Sequence, residues 1–483
     1  MAESLKRQTV RGTIWSLIEN FSVQGIMFVV MIIMARLLTP ADYGLVGMIS
    51  IFIAISQSLV DSGFSQALIR KQNRTQLDNS TVFYFNIGVG LFLYLVLFFC
   101  APLIARFYDE PLLIPVTRLM ALSLVINSLV VVQRALLFVR VDFKTIAKAS
   151  FVAVVISGTV GITMAYNNGG YWSIVAYQLT NLTVNMLLLT ILARWRPSLM
   201  FSFSSFKELF SFGSKLAASG IINTLYKNIY LLVIGKVFKA ADLGFYTRAH
   251  HFAEFPSSNI TNVLQRVTYP VLCQIQDDIP RLQSAYRRII RIAAYIVFPM
   301  MVILAAVAKP LILLILKQQW LFSAELLSIL CFAMMWYPIH AINLNLLKVR
   351  GRSDLFLRLE IIKKLINVAV LCISVPFGLV CMCYAAIFNS IISLVINTYY
   401  TGKMIQVGFW IQMRDIFPIL LLSLLTGALS WLTITMLSLS PLLSLIIGLG
   451  EACIIYLGLS KLLHFNEFHE LISMIRARKQ KID

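Results

Sequence analysis

VFYFNIGVGLFLYLVLFFCAPLIA, residues 82–105, runs for 24 residues without one charged side chain. At about 1.5 Å per residue a helix of that length reaches about 36 Å, more than the roughly 30 Å hydrocarbon core of a bilayer. The run is continuous and shows no apolar–polar alternation, so it reads as a helix and not as a strand of an outer-membrane barrel. Similar stretches lie on both sides of it. Fourteen in all fall at 13–35, 45–69, 82–105, 113–133, 149–167, 171–193, 213–235, 244–265, 292–316, 324–347, 359–376, 378–400, 416–437 and 441–463. Spread over 483 residues, that is about 34 per span, one membrane helix plus a short connection. Composition agrees: 59% of the residues are hydrophobic, 13% are charged, and mean hydropathy is +0.83. A soluble domain carries roughly 25% charged residues.

The connections alternate between basic and nearly charge-free. Counting those that fall inside a span near its end with the adjoining connection, 32 of the 41 Lys and Arg lie on the side of the N-terminus, Arg358, Lys363 and Lys364 among them. Six lie on the other side: Arg36, Arg106, Lys236, Lys239, Lys309 and Lys317. The positive-inside rule places the basic side, and with it both termini, in the cytoplasm. The net charge of +20 is therefore a topology signal, with weak attraction to anionic membrane lipids as a by-product. It gives no ground for a nucleic-acid partner. The seven cysteines lie in or beside spans without metal-ligand spacing, and Cys381-Met-Cys383 is too short for CxxC chemistry. They read as small apolar packing residues. No cofactor, metal site or cleavable signal peptide is expected.

Ala41-Asp42-Tyr43-Gly44 follows span 1, and Ala241-Asp242-Leu243-Gly244 follows span 7, at an offset of 200 residues. At the same offset Arg36 pairs with Lys236, Phe52 with Phe252 and Ser58 with Ser258. Six spans separate the copies, so they share an orientation. The expected fold is all-α integral membrane: 14 transmembrane helices in two parallel six-helix lobes about a pseudo-twofold axis along the membrane normal, plus two C-terminal helices. The lobes take residues 1–200 and 201–403, and the last helices with a basic tail take 404–483. Asp42 and Asp242 are placed to cap helix N-termini. Asn466 to Lys481 reads as a short amphipathic helix with Phe468, Leu471, Ile472 and Ile475 on one face, an interfacial anchor.

Charges at bilayer depth are costly and face a protein interior or a wet cavity. Here they are Glu19 in span 1, Asp61 in span 2, Arg118 in span 4, Lys227 in span 7, Arg248 and Glu254 in span 8, Glu325 at the start of span 10 and Glu451 in span 14. Ser219, Asn223 and Lys227 are four apart and share a face. Arg248, His250, His251 and Glu254 form a charged face one helix later. Gln178, Asn181 and Asn185 in span 6 follow the same spacing, as do Trp336, His340 and Asn343 in span 10. A central cavity between two lobes would place Arg248, Lys227 and Arg118 on an anionic head group. Glu19, Glu254, His250, His251 and Asp61 would offset or couple those charges. Asn223, Asn181, Gln178 and Asn343 would line the polar wall. For Arg118 the alternative is snorkelling to the interface, and for His340 a hydrogen-bonded packing role.

The clearest local segments are Ala35-Arg36-Leu37-Leu38-Thr39-Pro40-Ala41-Asp42-Tyr43-Gly44 and Asp61-Ser62-Gly63-Phe64-Ser65-Gln66-Ala67. Gln133-Arg134-Ala135, Val141-Asp142-Phe143-Lys144 and Gln265-Arg266-Val267-Thr268-Tyr269-Pro270 join them. On these the chain resembles the Wzx-type polysaccharide flippases, the colanic-acid-exporter-like branch of the polysaccharide transporter family in the multidrug/oligosaccharidyl-lipid/polysaccharide (MOP) superfamily. Cys273 departs from the serine that branch leads one to expect. The resemblance implies a bacterial inner-membrane exporter working by alternating access. Its cargo would be a polyprenyl-pyrophosphate-linked oligosaccharide, such as a capsule, exopolysaccharide or O-antigen repeat unit in lipopolysaccharide biosynthesis. It leaves the coupling ion open between H+ and Na+, and brings in membrane lipids and glycan polymerase machinery as partners.

The rival transport reading is a cation-coupled multidrug exporter, which would favour acidic residues in an apolar cavity. Enzymatic readings fare worse. Asp277-Asp278 and Asp109-Glu110 are isolated pairs that read as solvated turns, and no HExxH, P-loop or nucleophile elbow is present. The chain is therefore expected not to be an enzyme.

Overall fold

The computed structural model describes residues 23–61, 63–437 and 439–479, and all regular structure among them is helical. The chain divides into two units. Residues up to Gly244 form the first and those from Phe245 the second. The first holds α1 (Val23–Leu37), α2 (Pro40–Asp61), α3 (Phe64–Arg70), α4 (Gln76–Tyr108), α5 (Leu113–Met120), α6 (Leu122–Ser128), α7 (Val131–Val139), α8 (Phe143–Tyr166), α9 (Tyr171–Leu192) and α10 (Phe203–Val237). α11 (Ala240–Gln274) begins there and runs on into the second unit. That unit continues with α12 (Ile279–Ala306), α13 (Ala308–Leu316), α14 (Leu321–Met334), α15 (Tyr337–Val349), α16 (Ser353–Ser374), α17 (Leu379–Ile405), α18 (Phe409–Leu437), α19 (Pro441–Leu462) and α20 (Asn466–Lys479).

Among the described residues eleven helical runs are long and apolar enough to cross a membrane, and α1 is a shorter apolar helix. Many large apolar side chains on them face outward, Phe92, Phe99, Ile191 and Met436 among them. An apolar surface of that extent is stable against lipid, not water. The protein is a multi-pass membrane protein built of α-helices. Two long helices, α11 and α16, are absent from the eleven because they are too polar. Lys363 and Lys364, counted above with the connection before span 11, lie about ten residues inside α16. α10 belongs to the first unit, where it packs along α2, α3 and α4.

Acidic residues close helix ends where the sequence places them. Asp42 Oδ2 accepts from Thr39 N at 2.8 Å, and Asp242 Oδ2 from Lys239 N at 3.2 Å. Each aspartate reaches back three residues, the outer half of a capping box. In the first copy Thr39 Oγ1 completes it, accepting from Asp42 N at 3.3 Å. Asp142 Oδ1 accepts from Thr145 N, and Asp278 Oδ1 from Arg281 N, both at 3.1 Å. Asp278 is thus the N-cap of α12 rather than a plain solvated turn. Asp109 ends α4 in the left-handed region and accepts from Lys236 Nζ at 3.0 Å.

The two related motifs meet. A Cβ on Gly44 would lie 1.7 Å from Ala240 O, and one on Gly244 would lie 1.9 Å from Pro40 O. Each glycine lets the first residue of the other helix lie against its backbone, a reciprocal contact that any side chain would break.

Elsewhere in the first unit, Phe64, Phe83, Trp195 and Leu209 form a buried cluster, and α8 pairs with α9. Beside the cluster Lys71 bridges Glu208 at 2.9 Å and Asp78 at 3.1 Å. The hydrogen bond to Glu208, then that to Asp78, holds the Lys71 ammonium above its ordinary pKa. In the second unit α12 packs along α18, and Arg287 grips Asp415 with Nε and Nη2, both at 2.6 Å. α20 is more than an apolar anchor. Its Glu467 and Glu470 pair with Arg291 at 3.0 Å and Arg288 at 2.9 Å, fastening it to α12.

Candidate functional site

α11 is the most unusual helix for a chain of this composition. Its 35 residues give about 52 Å of length, ample for a bilayer, yet its polarity sets it apart from the apolar spans. One face is small and tightly packed. Ala249, Ala253, Ser257 and Thr261, four apart, are all buried. Small residues let helix backbones approach closely in lipid. Ser257 Oγ donates to Met334 O at 2.8 Å, and Ser323 Oγ to Phe245 O at 3.0 Å, so the face is stitched to α14.

Another face of α11 is polar along most of its length. Thr247, His251, Glu254, Ser258, Asn262, Gln265 and Tyr269 recur at three- and four-residue steps, and none is buried. Arg248 is half-buried one residue from this stripe. His250 Nδ1 stands 3.5 Å from Glu254 Oε2, one turn apart, and the Tyr246 ring lies 5.7 Å from the imidazole. Tyr337 of α15 sits within electrostatic reach of Glu254. Two turns of α11 thus gather Arg248, His250, His251 and Glu254, as their spacing predicts. The stripe continues in Ser258, Asn262 and Gln265, which were not grouped from the sequence although they follow the same spacing. Tyr337 was not legible in the sequence, because it comes from a separate helix.

In the first unit Ser219, Asn223 and Lys227 are all exposed, so α10 turns that stripe away from its packing partners α2 and α4. Arg118 is drawn elsewhere. Its guanidinium lies 4.5 Å from the Phe98 ring centroid, and Nε donates to Phe98 O at 3.4 Å. Gln178 is half-buried on α9. Asn181 Nδ2 donates to Ser157 Oγ of α8 at 3.1 Å, and Asn185 lies 3.5 Å from Ser150 Oγ, so this stripe ties α9 to α8. Glu19 lies outside the described residues, and Asp61 ends α2 with a side chain outside them as well.

Asn343 does not line open space. It is 1% exposed, and its amide exchanges hydrogen bonds with Gln412 at 3.0 and 3.1 Å. Thr401 Oγ1 also reaches Asn343 Oδ1 at 3.2 Å, and Gln412 Nε2 reaches Val407 O at 3.0 Å. This closed network joins α15, α17 and α18. Its partners are far apart in sequence, so spacing within α15 carried no sign of it. His340 is likewise partnered, by Ser390 Oγ at 3.0 Å and Asn397 Nδ2 at 3.4 Å. Among the described residues no group of three or more His, Cys, Asp or Glu is arranged to hold a metal ion.

Comparison with known proteins agrees with this architecture. The polysaccharide biosynthesis protein family matches residues 33–325, and the chain belongs to that family. It is 25% identical over 366 residues to the lipopolysaccharide biosynthesis protein WzxC of Escherichia coli K12, covering 74% of each chain. It is 23% identical over 354 residues to the teichuronic acid biosynthesis protein TuaB of Bacillus subtilis 168, covering 73% of each. Among solved structures, lipid II flippase MurJ in an inward closed conformation superposes with a TM-score of 0.72 at 14% identity, over 94% of this chain and 99% of that one. An inward-facing multidrug resistance MATE transporter of the MOP superfamily gives 0.59 at 15% identity, over 82% of this chain and 100% of the other. At such identities the two structures establish a shared fold.

Proposed function

We propose that this protein is a flippase that carries a polyprenyl-pyrophosphate-linked oligosaccharide across the bacterial inner membrane by alternating access. The observation that carries the reading is α11: a helix long enough to span the bilayer, in a family of polysaccharide biosynthesis proteins, with a cationic and hydrogen-bonding face where an apolar one is expected. The relatives named for lipopolysaccharide and teichuronic acid biosynthesis support a saccharide cargo. In this reading the chain has fourteen spans, with α11 and α16 among them, and both termini lie on the basic, cytoplasmic side. Arg248 of the second unit holds the pyrophosphate in a forked geometry; Lys227 of the first unit, turned out of its own unit's packing, is a further exposed cation. Glu254 and His250 balance Arg248 and are the first choice for a coupling proton. The polar side chains further along α11 offer hydrogen bonds to sugar hydroxyls. Arg118, engaged with Phe98, takes a supporting role near the interface.

The test is reconstitution into proteoliposomes with a fluorescent polyprenyl-pyrophosphate oligosaccharide, with leaflet exposure read by an impermeant quencher. Protein-dependent movement that is lost in Arg248→Ala, with insertion intact, is the expected result. Full activity in Arg248→Ala would sink the anion-site assignment. Failure to move any lipid-linked saccharide under H+ and Na+ gradients, while drugs are moved, would put drug export in its place.

A further inference from the structure

α16 is amphipathic the wrong way round for a helix in water. Leu357 and Leu365 are 62% and 66% exposed, and Ile361, Ile362 and Ile373 face outward with them. Glu360, Lys363, Lys364 and Asn367 face inward, at positions that step along one side of the helix. An outward apolar face of this length calls for lipid. The neighbouring runs Gln318–Val349 and Leu379–Ile405 are both apolar enough to span a membrane. α16 therefore crosses with Glu360, Lys363 and Lys364 turned into the second unit, against α15 and α17, while Asp354 and Arg358 near its start stay exposed.

Those two helices answer with polar groups. Lys363 is paired with Glu360 one turn away, its side chain only 13% exposed, and it acts electrostatically on His340 of α15. Ser390 Oγ donates to Ala333 O at 3.1 Å, which uses its only proton, so it accepts from His340 Nε2–H. The imidazole is then the neutral Nε2–H tautomer, and Nδ1 accepts from Asn397 Nδ2. Two acceptors remain. Asn397 Oδ1 and Asn389 Oδ1, both on α17, are buried and receive no hydrogen bond from the protein. Asn397 is only 1% exposed. Buried amide oxygens of this kind are satisfied by water where the site is polar, and an ion pair at bilayer depth gains far more from hydration than from dry packing.

We infer that α15, α16 and α17 enclose a hydrated tract inside the second unit, lined by the inward face of α16 and by His340, Ser390, Asn389 and Asn397. Its ligand is water, which solvates the Glu360–Lys363 pair at mid-helix. The tract does not depend on the cargo assigned to the α11 stripe.

Thiol accessibility tests it without any transport assay. Single variants Asn367→Cys and Ser390→Cys place a thiol on the tract. Leu365→Cys and Val395→Cys place one on the outward faces of the same two helices, where Val395 is exposed. Membranes are treated with a sulfonate-bearing methanethiosulfonate, and adducts at each position are quantified by peptide mass spectrometry, which keeps the native cysteines separate. Because the thiolate is the reactive form and forms in water, the two tract positions should react at least tenfold faster than the two outward ones. Ser390→Cys is nearly isosteric and guards against misfolding of the Asn367 variant. Equal rates on both faces, or faster reaction on the outward faces, would overturn the proposal.

Discussion

Arg287→Ala should cost this protein more stability than Asp415→Ala, and the difference follows from unequal burial. The two side chains share a bidentate grip at 2.6 Å twice over, but Arg287 is 43% exposed and Asp415 only 7%. Removing the arginine strands a carboxylate in the α12–α18 contact, a loss of about 3–5 kcal/mol for a fully buried pair. Fully exposed pairs lie at about 0–1 kcal/mol. Arg287 is nearly half in solvent, so the expected cost is intermediate, about 2 kcal/mol. Removing Asp415 instead frees a guanidinium that turns to water, at about 1 kcal/mol. Arg287→Lys keeps the charge but loses the fork, so it should recover only part of the loss. The assay is thermal unfolding of purified protein in detergent for the four corners of the double-mutant cycle. The double variant should be less destabilised than the sum of the singles by about 1 kcal/mol or more. If Asp415→Ala proves the worse single change, or if the two add to within about 0.5 kcal/mol, the pair is not the clasp its geometry describes.

Gly44→Ala should lower the melting temperature, because its Cβ would sit 1.7 Å from Ala240 O, and overpacking costs about 1–3 kcal/mol. Gly88→Ala in α4 meets nothing within 4 Å and should be neutral or stabilising in the same assay. Asp278→Ala removes the N-cap of α12 and should cost about 1 kcal/mol, with Asp278→Asn retaining most of it, as read by thermal unfolding. Glu467→Lys should break the tie to Arg291 and loosen α20, seen as faster proteinase K cleavage between α19 and α20. Combining it with Arg291→Glu should restore protection, and unchanged cleavage in the single variant would refute a clamping role.

The helical fold was legible because lipid leaves few options. An uncharged run such as residues 82–105 has to satisfy its backbone internally, and helix does so within one segment. The repeated Asp-x-Gly motifs were legible too, down to the aspartate at each helix start. The contact between the motifs was not, because local spacing says nothing about which helices meet. The same limit explains the polar stripes. Spacing correctly grouped Arg248, His250, His251 and Glu254, and Ser219, Asn223 and Lys227. It grouped Gln178, Asn181 and Asn185 just as well, yet Asn181 turns to Ser157 of α8. Helical phase identifies a shared face and leaves its direction to tertiary packing. Asn343 failed for that reason, since Thr401 and Gln412 close around it from two other helices. Lys363 and Lys364 were tallied with the connection before span 11 because the charge count credits basic residues near a span end to the adjoining loop. In α16 the exposed apolar residues Leu357, Ile361 and Leu365 lie on a different face from those lysines.

The reversed face of α16 bears on how the chain is made. On an insertion scale, a basic or acidic residue near the centre of a helix costs about 2.5–3.5 kcal/mol. α16 carries Arg358, Glu360, Lys363 and Lys364. By that scale such a segment is not expected to leave a translocon for lipid alone. Its polar side packs against α15 and α17, so its insertion is expected to depend on those neighbours, the second of which is made after it. The order of synthesis thus becomes part of the folding code for the second unit.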